Sequence, residues 1–264
     1  MGLVQFENLP DGTRLAFRVD GGGGAGSCGF FWLGGFKSDM EGSKAEAVAA
    51  LARETRRPAL RFDYSGHGKS SGLFTDGTIT AWLAQARYMF TAHTSGKRIV
   101  IGSSMGGWLA LLLLHELLAA DAPTAGRIAG LVLVAPATDM TADLMWDVFP
   151  ERTRSELSER GVWLMPSSYG EPYPITARLI EDGYRHQILR QGLDCPCPVH
   201  ILQGDADSEV PPTHAFKTFT ALRGGEVALT LIKGGDHRLS TPSQLSLIRD
   251  AARRLAEKAD GLSL

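Results

Sequence analysis

Short apolar runs alternate with longer amphipathic segments along most of the chain, a pattern typical of a sheet covered by helices. The first two runs flank Pro10-Asp11-Gly12, and an Asp-Gly turn between such runs predicts a β-hairpin. The six later runs are continuously apolar, as expected for parallel strands that are buried on both faces. The eight predicted strands cover residues 4–9, 13–19, 30–33, 59–62, 98–101, 131–135, 199–203 and 227–232.

Helical periodicity fills most of the intervals between these runs. Residues 42–56, 78–93 and 104–118 carry apolar positions at helical spacing, and Thr241-Pro242 combines a capping residue with a first-turn proline that opens the last helix. Repeated strand and helix units predict an α/β fold with a doubly wound, mostly parallel sheet. The hairpin at the start adds an antiparallel edge to that sheet.

One interval is too long for an ordinary connection, because roughly sixty residues separate the runs 131–135 and 199–203. It is rich in aromatic residues and interrupted by prolines, so we expect a small helical cap over the carboxyl edge of the sheet, where α/β folds bind ligands. The predicted division is 1–138 for the first part of the core, 139–192 for the cap and 193–264 for the second part of the core. The cap residues predicted to form an apolar wall for substrate are Trp146, Trp163, Met165 and Tyr169. The alternative is that they pack into a small core of the insertion.

Composition excludes several function classes. With 44% apolar residues, 21% charged residues and a formal net charge of −2 over 264 residues, nothing attracts nucleic acid or an anionic membrane. The apolar stretch 30–36 is too short to span a bilayer, and no signal-peptide pattern precedes the first strand. We therefore expect a cytoplasmic protein without membrane insertion; the sequence leaves its oligomeric state open.

Two adjacent serines stand between glycines in the segment 102–106, directly after a predicted strand and before a predicted helix. The pattern G-x-S-x-G fits this segment in one frame only, with Ser104 at its centre. Such a turn strains the backbone of the central residue, and glycines two positions away relieve the crowding. Ser104 is therefore the predicted nucleophile.

A serine hydroxyl needs a histidine base that is oriented by a carboxylate, in the chain order serine, acid, histidine. Three carboxylates, Asp205, Asp207 and Glu209, follow the seventh predicted strand. Asp207 lies further onto the loop and is the preferred acid, while Asp205 remains the alternative. His237 follows the last strand and is the predicted base, whereas His67 precedes the nucleophile and is expected to be structural.

Two backbone N–H groups are expected to stabilise a tetrahedral oxyanion. Met105 begins the helix after the nucleophile, where the first-turn N–H groups have no partner within the helix. The other donor is predicted from the loop after the third strand, where two glycines precede Phe36 and allow the backbone to approach closely. The predicted oxyanion hole thus consists of the N–H groups of Phe36 and Met105.

The chain resembles the α/β-hydrolase family over nearly its full length, and more narrowly its branch of mitochondrial acyl-protein thioesterases and acyl-glucuronide esterases. The motifs that carry the resemblance are GFKSDMEGSKA (35–45), RFDYSGHGKS (61–70), GSSMGGW (102–108) and GVWLMPSSY (161–169). It implies the α/β-hydrolase fold and hydrolysis of a small-molecule ester or thioester, or of an acylated protein, without cofactor or metal. It places the family's triad on Ser104, Asp207 and His237. The chain has no Arg-rich segment before the first strand, so a mitochondrial location is not expected from the resemblance.

Other activities use the same residues. An acyltransferase or a cofactor-free perhydrolase needs the same triad, and a non-catalytic binding module could retain the same fold. The segment 21–26 also matches G-x-G-x-x-G, but a strand follows it where dinucleotide binding requires a helix. A dinucleotide site is therefore not expected.

Overall fold

The computed structural model describes residues 2–22, 27–166 and 172–262. Its strands are β1 (Gln5–Asn8), β2 (Arg14–Asp20), β3 (Gly29–Leu33), β4 (Ala59–Phe62), β5 (Arg98–Ser103), β6 (Ile128–Val134), β7 (Val162–Met165), β8 (Tyr173–Thr176), β9 (Leu193–Cys195), β10 (Val199–Gly204), β11 (Leu222–Gly224) and β12 (Val227–Ile232). Its α-helices are α1 (Ser43–Thr55), α2 (Ile79–His93), α3 (Met105–Ala120), α4 (Ala122–Ala125), α5 (Glu151–Arg160), α6 (Ala177–Gly183), α7 (Pro212–Ala221) and α8 (Pro242–Ala259).

The main sheet has the strand order β1-β2-β4-β3-β5-β6-β10-β12 in the described part of the chain. β1 pairs antiparallel with β2, and β2 pairs antiparallel with β4. The remaining neighbours in the sheet are parallel. Each of the eight runs predicted as strands lies in this sheet, so the hairpin and the mostly parallel arrangement are confirmed.

Helices cover both faces of the sheet, as a doubly wound fold requires. On one face, α1 and α8 bury apolar residues such as Leu51 and Ile248 against the sheet. On the other face lie α2 and α3, with Trp82 and Trp108 fully buried. Burial of a large apolar side chain contributes about 2 kcal/mol, so these two clusters supply most of the favourable energy that fixes the strand ends.

The insertion between β6 and β10 differs in part from the predicted helical cap. It contains a π-helical turn at Thr141–Trp146, then α5 and α6, but between these helices β7 and β8 form an antiparallel hairpin. The alternation of exposed and half-buried residues along β7 has the period of two that a strand requires. The aromatic content of this segment indicated a cap, but the alternation, which indicates a hairpin, was missed. The division at residues 139 and 192 stays a prediction.

Asp139 ties the two ends of the insertion together. Its buried carboxylate accepts hydrogen bonds from the backbone N–H groups of Ile188, at 2.9 and 3.1 Å, and Leu189, at 3.0 Å. Its backbone has φ of 53°, a conformation that non-glycine residues rarely adopt. The insertion is therefore anchored beside the carboxyl end of β6, at the edge where the parallel strands β3, β5, β10 and β12 also end.

α7 and the short parallel pair of β9 with β11 were not predicted from the sequence. In the ranges that the structure describes, no helix combines the length and apolar character needed to cross a bilayer.

Candidate active site

Ser104 occupies the sharp turn between β5 and α3. It has φ of 54° and ψ of −119°, a strained conformation for a residue with a side chain. Its N–H donates to the Val134 carbonyl at 2.9 Å, and its own carbonyl accepts from Gly107 at 2.9 Å and Ala137 at 3.1 Å. These three backbone bonds hold the strained residue in place and direct its side chain out of the sheet edge.

The glycines around Ser104 have a steric reason. A Cβ on Gly102 would lie 2.2 Å from the Gly106 carbonyl oxygen, and a Cβ on Gly106 would lie 2.1 Å from the Leu33 carbonyl oxygen. Neither position can carry a side chain without moving the backbone. The neighbouring Ser103 is buried as the last residue of β5.

Asp207 and Asp205 have different surroundings, although both follow β10 closely. The buried Asp207 accepts from the backbone N–H groups of Glu209 and Val210, both at 2.9 Å, and from His237 Nδ1 at 2.9 Å. Asp205 accepts instead from Lys233 Nζ at 2.8 Å and from the backbone N–H of Gly234, the residue after that lysine. Both carboxylates therefore bond to the 233–238 loop after β12, Asp205 at the start of the loop and Asp207 at the imidazole of His237.

Burial alone would raise the pKa of Asp207, but the hydrogen bond and charge of His237 outweigh it, with help from Val210 N–H and Gln203. The pKa of Asp207 is therefore below its ordinary value, and the carboxylate stays ionised at neutral pH.

His237 lies between the acid and the serine. A carboxylate can only accept, so Nδ1 carries the proton and Nε2 has a free lone pair. Ser104 Oγ lies 3.1 Å from that Nε2, within hydrogen-bond reach. The three predicted catalytic side chains are thus brought into one continuous chain of hydrogen bonds.

Besides the bonds to Asp205 and Asp207, two further contacts hold the loop that carries His237. The Ala206 N–H of the acid loop donates to the Gly235 carbonyl at 3.0 Å. Lys44, in the first turn of α1, donates through Nζ to the Arg238 carbonyl, and burial lowers the pKa of Lys44 to about 8. The histidine loop is therefore tied both to the acid loop and to the helix after the 34–42 segment.

The two predicted oxyanion donors belong to segments that both adjoin Ser104. Met105 is the first residue of α3, so its N–H has no partner within the helix. The loop with Phe36 runs against the serine, because a Cβ on Gly35 would lie 3.3 Å from Ser104 Cβ and 3.2 Å from the Ser103 carbonyl oxygen. This placement fits an oxyanion hole, whose assignment to Phe36 and Met105 stays a prediction.

An aromatic cluster surrounds Phe36. Its ring packs edge to face with Phe74, with centroids 4.8 Å apart, and with Tyr173 of the cap hairpin, 5.7 Å apart. The ammonium of Lys37 lies 5.5 Å from the centre of the Tyr173 ring. The hairpin thus forms a wall beside the predicted oxyanion hole, and sequence analysis did not single out Tyr173 or Phe74 for it.

The four cap residues predicted to bind substrate have separate surroundings. Trp163 packs on Phe149 inside the insertion, with ring centroids 5.0 Å apart. Trp146 lies under the guanidinium of an α5 arginine, whereas Met165 is paired with Tyr173 across the hairpin. Tyr169 lies outside the described residues. Their role in substrate binding stays a prediction, and the contact with Tyr173 favours Met165 among them.

Two further polar residues lie at the site, and one of them, Gln203, was missed from the sequence. Gln203 is fully buried and donates through Nε2 to Asp207 Oδ2 at 3.0 Å. The carboxylate of Glu209 lies 3.9 Å from His237 Nε2. A lone amide at the end of an apolar strand, directly before the acid loop, was the available signal for Gln203.

Metal and pocket features give no competing site in the described ranges. No group of three or more His, Cys, Asp or Glu side chains there is arranged to hold a metal ion. A surface groove beside the insertion is lined by Asp143, Asp147, Leu189, Arg190, Lys217, Thr220 and Ala221, and none of the three triad residues is among them. The proposed reaction requires Ser104, which does not line this groove.

Comparisons with known proteins bear on the family and the fold of this chain. A family model described as the alpha/beta hydrolase family matches residues 22–257. Human "palmitoyl-protein thioesterase ABHD10, mitochondrial" is 30% identical over 247 residues, which cover 93% of this chain and 77% of that protein. A crystal structure of a hydrolase from Agrobacterium vitis S4 superposes with a TM-score of 0.91 at 41% identity, covering 97% of this chain and 99% of that one. Mouse alpha/beta hydrolase domain-containing protein 10 superposes with a TM-score of 0.85 at 28% identity, with the same coverage.

These findings confirm the α/β-hydrolase fold and the narrower resemblance predicted from the sequence. They contradict the predicted cytoplasmic location, because the curated relatives are mitochondrial by name. That prediction relied on the lack of a recognisable targeting or membrane-spanning pattern in the sequence, and the names of the relatives overturn it.

Proposed function

This chain belongs to the alpha/beta hydrolase family, and from that premise we propose that it is a serine hydrolase that cleaves carboxylic esters or thioesters through an acyl-enzyme intermediate. One observation carries the proposal: Asp207, His237 and Ser104 form a continuous chain of hydrogen bonds, with donor-acceptor distances of 2.9 and 3.1 Å. Ser104, at the end of this series of hydrogen bonds, has the strained backbone of a nucleophile turn.

In the proposed reaction, His237 Nε2 removes the Ser104 proton as Oγ attacks the carbonyl carbon of the substrate. Asp207 holds the imidazole with its proton on Nδ1 and stabilises the imidazolium cation. The imidazolium then gives the proton to the departing alcohol or thiol. Water, activated by the same histidine, attacks the acyl-enzyme and releases the acid, which restores Ser104.

The carbonyl oxygen becomes negatively charged in both tetrahedral intermediates. We assign its stabilisation to the backbone N–H groups of Met105 and Phe36, which flank the serine from α3 and from the 34–37 loop. Removal of one such donor typically lowers turnover by about 100-fold to 1000-fold. The close approach of this loop also accounts for Gly35, since a Cβ there would lie 3.3 Å from Ser104 Cβ, which is closer than an ordinary van der Waals contact.

The acyl group is proposed to be apolar. Phe36, Phe74, Tyr173 and Met165 provide half-buried apolar surface on the side of the oxyanion loop. The names of the curated relatives, which describe palmitoyl-protein thioesterases, point in the same direction for their own substrates. Fatty acyl thioesters and esters are therefore the first substrates to test.

Steady-state hydrolysis tests this function, with p-nitrophenyl esters from acetate to palmitate and the matching acyl thioesters as substrates. We expect Ser104→Ala to lower kcat to background, while Ser103→Ala, a change in the adjacent serine, retains it. Undiminished turnover in Ser104→Ala would refute the serine mechanism. Rates that do not vary with acyl length would reject the apolar wall, and faster transfer to an added alcohol than to water would favour an acyltransferase.

A further inference from the structure

His67 uses both of its ring nitrogens although it lies outside the triad. The side chain is only 3% exposed. Its Nδ1 lies 3.1 Å from the Ser65 carbonyl oxygen, which can only accept, so Nδ1 carries the proton. Its Nε2 therefore has a free lone pair, and the Lys37 backbone N–H donates to it at 3.1 Å.

Lys37 directly follows Phe36, whose N–H is a proposed oxyanion donor. Lys37 has φ of 55°, an unfavourable conformation that persists only where surrounding contacts hold it. The bond to His67 is such a contact, at the peptide unit that joins Phe36 to Lys37. A shift of this peptide would turn the Phe36 N–H relative to Ser104.

The same aromatic rings hold His67 and Phe36. The imidazole packs edge to face against Trp82, with centroids 5.1 Å apart, and against Phe74, 5.2 Å apart. Phe36 packs against the same two rings, at 5.9 Å and 4.8 Å. The Trp82 indole N–H also donates to the Ser65 carbonyl at 3.1 Å, which fixes the oxygen that orients the imidazole. Aromatic packing and hydrogen bonds therefore both fix the position of the 34–37 loop relative to His67.

The hydrogen bond from Lys37 requires a neutral imidazole, because a protonated Nε2 would place two N–H donors face to face. Burial supplies this condition, since it lowers the pKa of His67 to about 4. The imidazole of His67 is therefore neutral, and its Nε2 remains an acceptor, at neutral pH.

We propose that His67 is a positioning residue of the active site: as a neutral acceptor for the Lys37 N–H, it holds the 34–37 loop so that the Phe36 N–H faces the oxyanion. The proposal rests on the serine hydrolase function proposed above. It assigns His67 no contact with substrate and no proton transfer, and it predicts that loss of His67 weakens binding of the transition state more than binding of the substrate.

The test compares His67→Phe, which keeps an aromatic ring but removes the acceptor, with His67→Gln, whose amide oxygen can reach the position of Nε2. We expect kcat of His67→Phe to fall about 10-fold to 100-fold, less than for a deleted donor, because the N–H is displaced but still present. KM should stay within about twofold, and affinity for an acyl trifluoromethyl ketone, which forms the oxyanion on Ser104, should fall in parallel with kcat. His67→Gln should recover most of both losses.

His93→Phe is the matched control, because His93 is a half-buried histidine in α2 that also packs on an aromatic ring. It should leave kcat and ketone affinity unchanged. If His67→Phe does not fold, the comparison of His67→Gln with His67→Asn decides, since the shorter amide oxygen cannot reach the Lys37 N–H and should behave as the loss variant.

Unchanged kcat and ketone affinity in His67→Phe would overturn the proposal. A lower melting temperature with unchanged kcat per folded molecule would do the same, because it would mark a purely structural role. Failure of the proposed function itself would be distinguishable, since the wild-type protein would then hydrolyse no ester or thioester and would not bind the ketone.

Discussion

Replacement of Asp207 by asparagine exchanges one carboxylate oxygen of the proposed triad for an NH2 group. Oδ1 of the carboxylate accepts from two backbone N–H groups, while Oδ2 accepts from His237 Nδ1 at 2.9 Å and Gln203 Nε2 at 3.0 Å. An asparagine that keeps the first pair of bonds must direct its NH2 group at His237 and Gln203. The imidazole can accept from that group only if its own proton moves to Nε2.

The expected loss of kcat follows from that tautomer of His237. With its proton on Nε2, the imidazole of His237 cannot take the proton of Ser104. The same change in serine proteases lowers turnover by about 10⁴-fold, which corresponds to about 5.4 kcal/mol of transition-state stabilisation. We expect a loss of this size in kcat for Asp207→Asn. KM should change by less than about threefold, because the carboxylate lies behind the histidine and does not face the acyl group.

Asp205→Asn is the matched control, because it makes the same chemical change two residues away. Asp205 accepts hydrogen bonds from Lys233 and from the Gly234 N–H, at the start of the histidine loop, and makes none with the imidazole of His237. We expect its kcat to stay within about threefold of wild type. The assay is initial-rate hydrolysis of p-nitrophenyl butyrate, with circular dichroism and a melting curve to correct for folded protein. A folded Asp207→Asn that keeps more than about a tenth of wild-type kcat, or a greater loss in Asp205→Asn, would refute the reasoning.

Three further predictions concern charge and packing. In Asp20→Asn, loss of the ion pair with the buried Arg61 should lower the free energy of unfolding by about 3 kcal/mol at pH 7. Burial acts to raise the pKa of Asp20, but Arg61 outweighs it and the pKa is lowered, so this stability is lost as pH falls below 4. Chemical denaturation should therefore find a smaller difference between the variant and the wild type at that pH. Glu209→Gln removes a negative charge 3.9 Å from His237 Nε2 and should raise kcat/KM for acyl-CoA thioesters by about threefold to tenfold relative to neutral thioesters; an equal change for both substrates would contradict it. Gly106→Ala places a Cβ 2.1 Å from a carbonyl oxygen of β3 and should leave little folded, active protein, whereas a wild-type melting temperature would show that the turn tolerates it.

The fold could be predicted to a large extent because its signals are local. Each strand of the main sheet is a compact apolar run, and the serine turn is recognisable since steric crowding requires glycine at 102 and 106. The insertion was harder to predict. Its hairpin has short strands, half exposed, and its aromatic residues suggested core or substrate contacts without indicating which ones.

The site could be predicted where chain order and strand ends determine it. Ser104 and His237 each had one suitable position, but the choice between Asp205 and Asp207 depends on which way each side chain turns, and the structure places Lys233 beside one and His237 beside the other. The role inferred for His67 was not visible in the sequence. It depends on a contact with a residue thirty positions earlier, which only the folded chain brings together.

Covalent labelling with a fluorophosphonate, followed by fragment-ion mapping of the labelled peptide, tests the central claim most directly. The account predicts a single adduct on Ser104, present in the wild type and in Ser103→Ala and absent in Ser104→Ala. Labelling of a different residue, or no labelling of a protein that hydrolyses esters at a measurable rate, would contradict it.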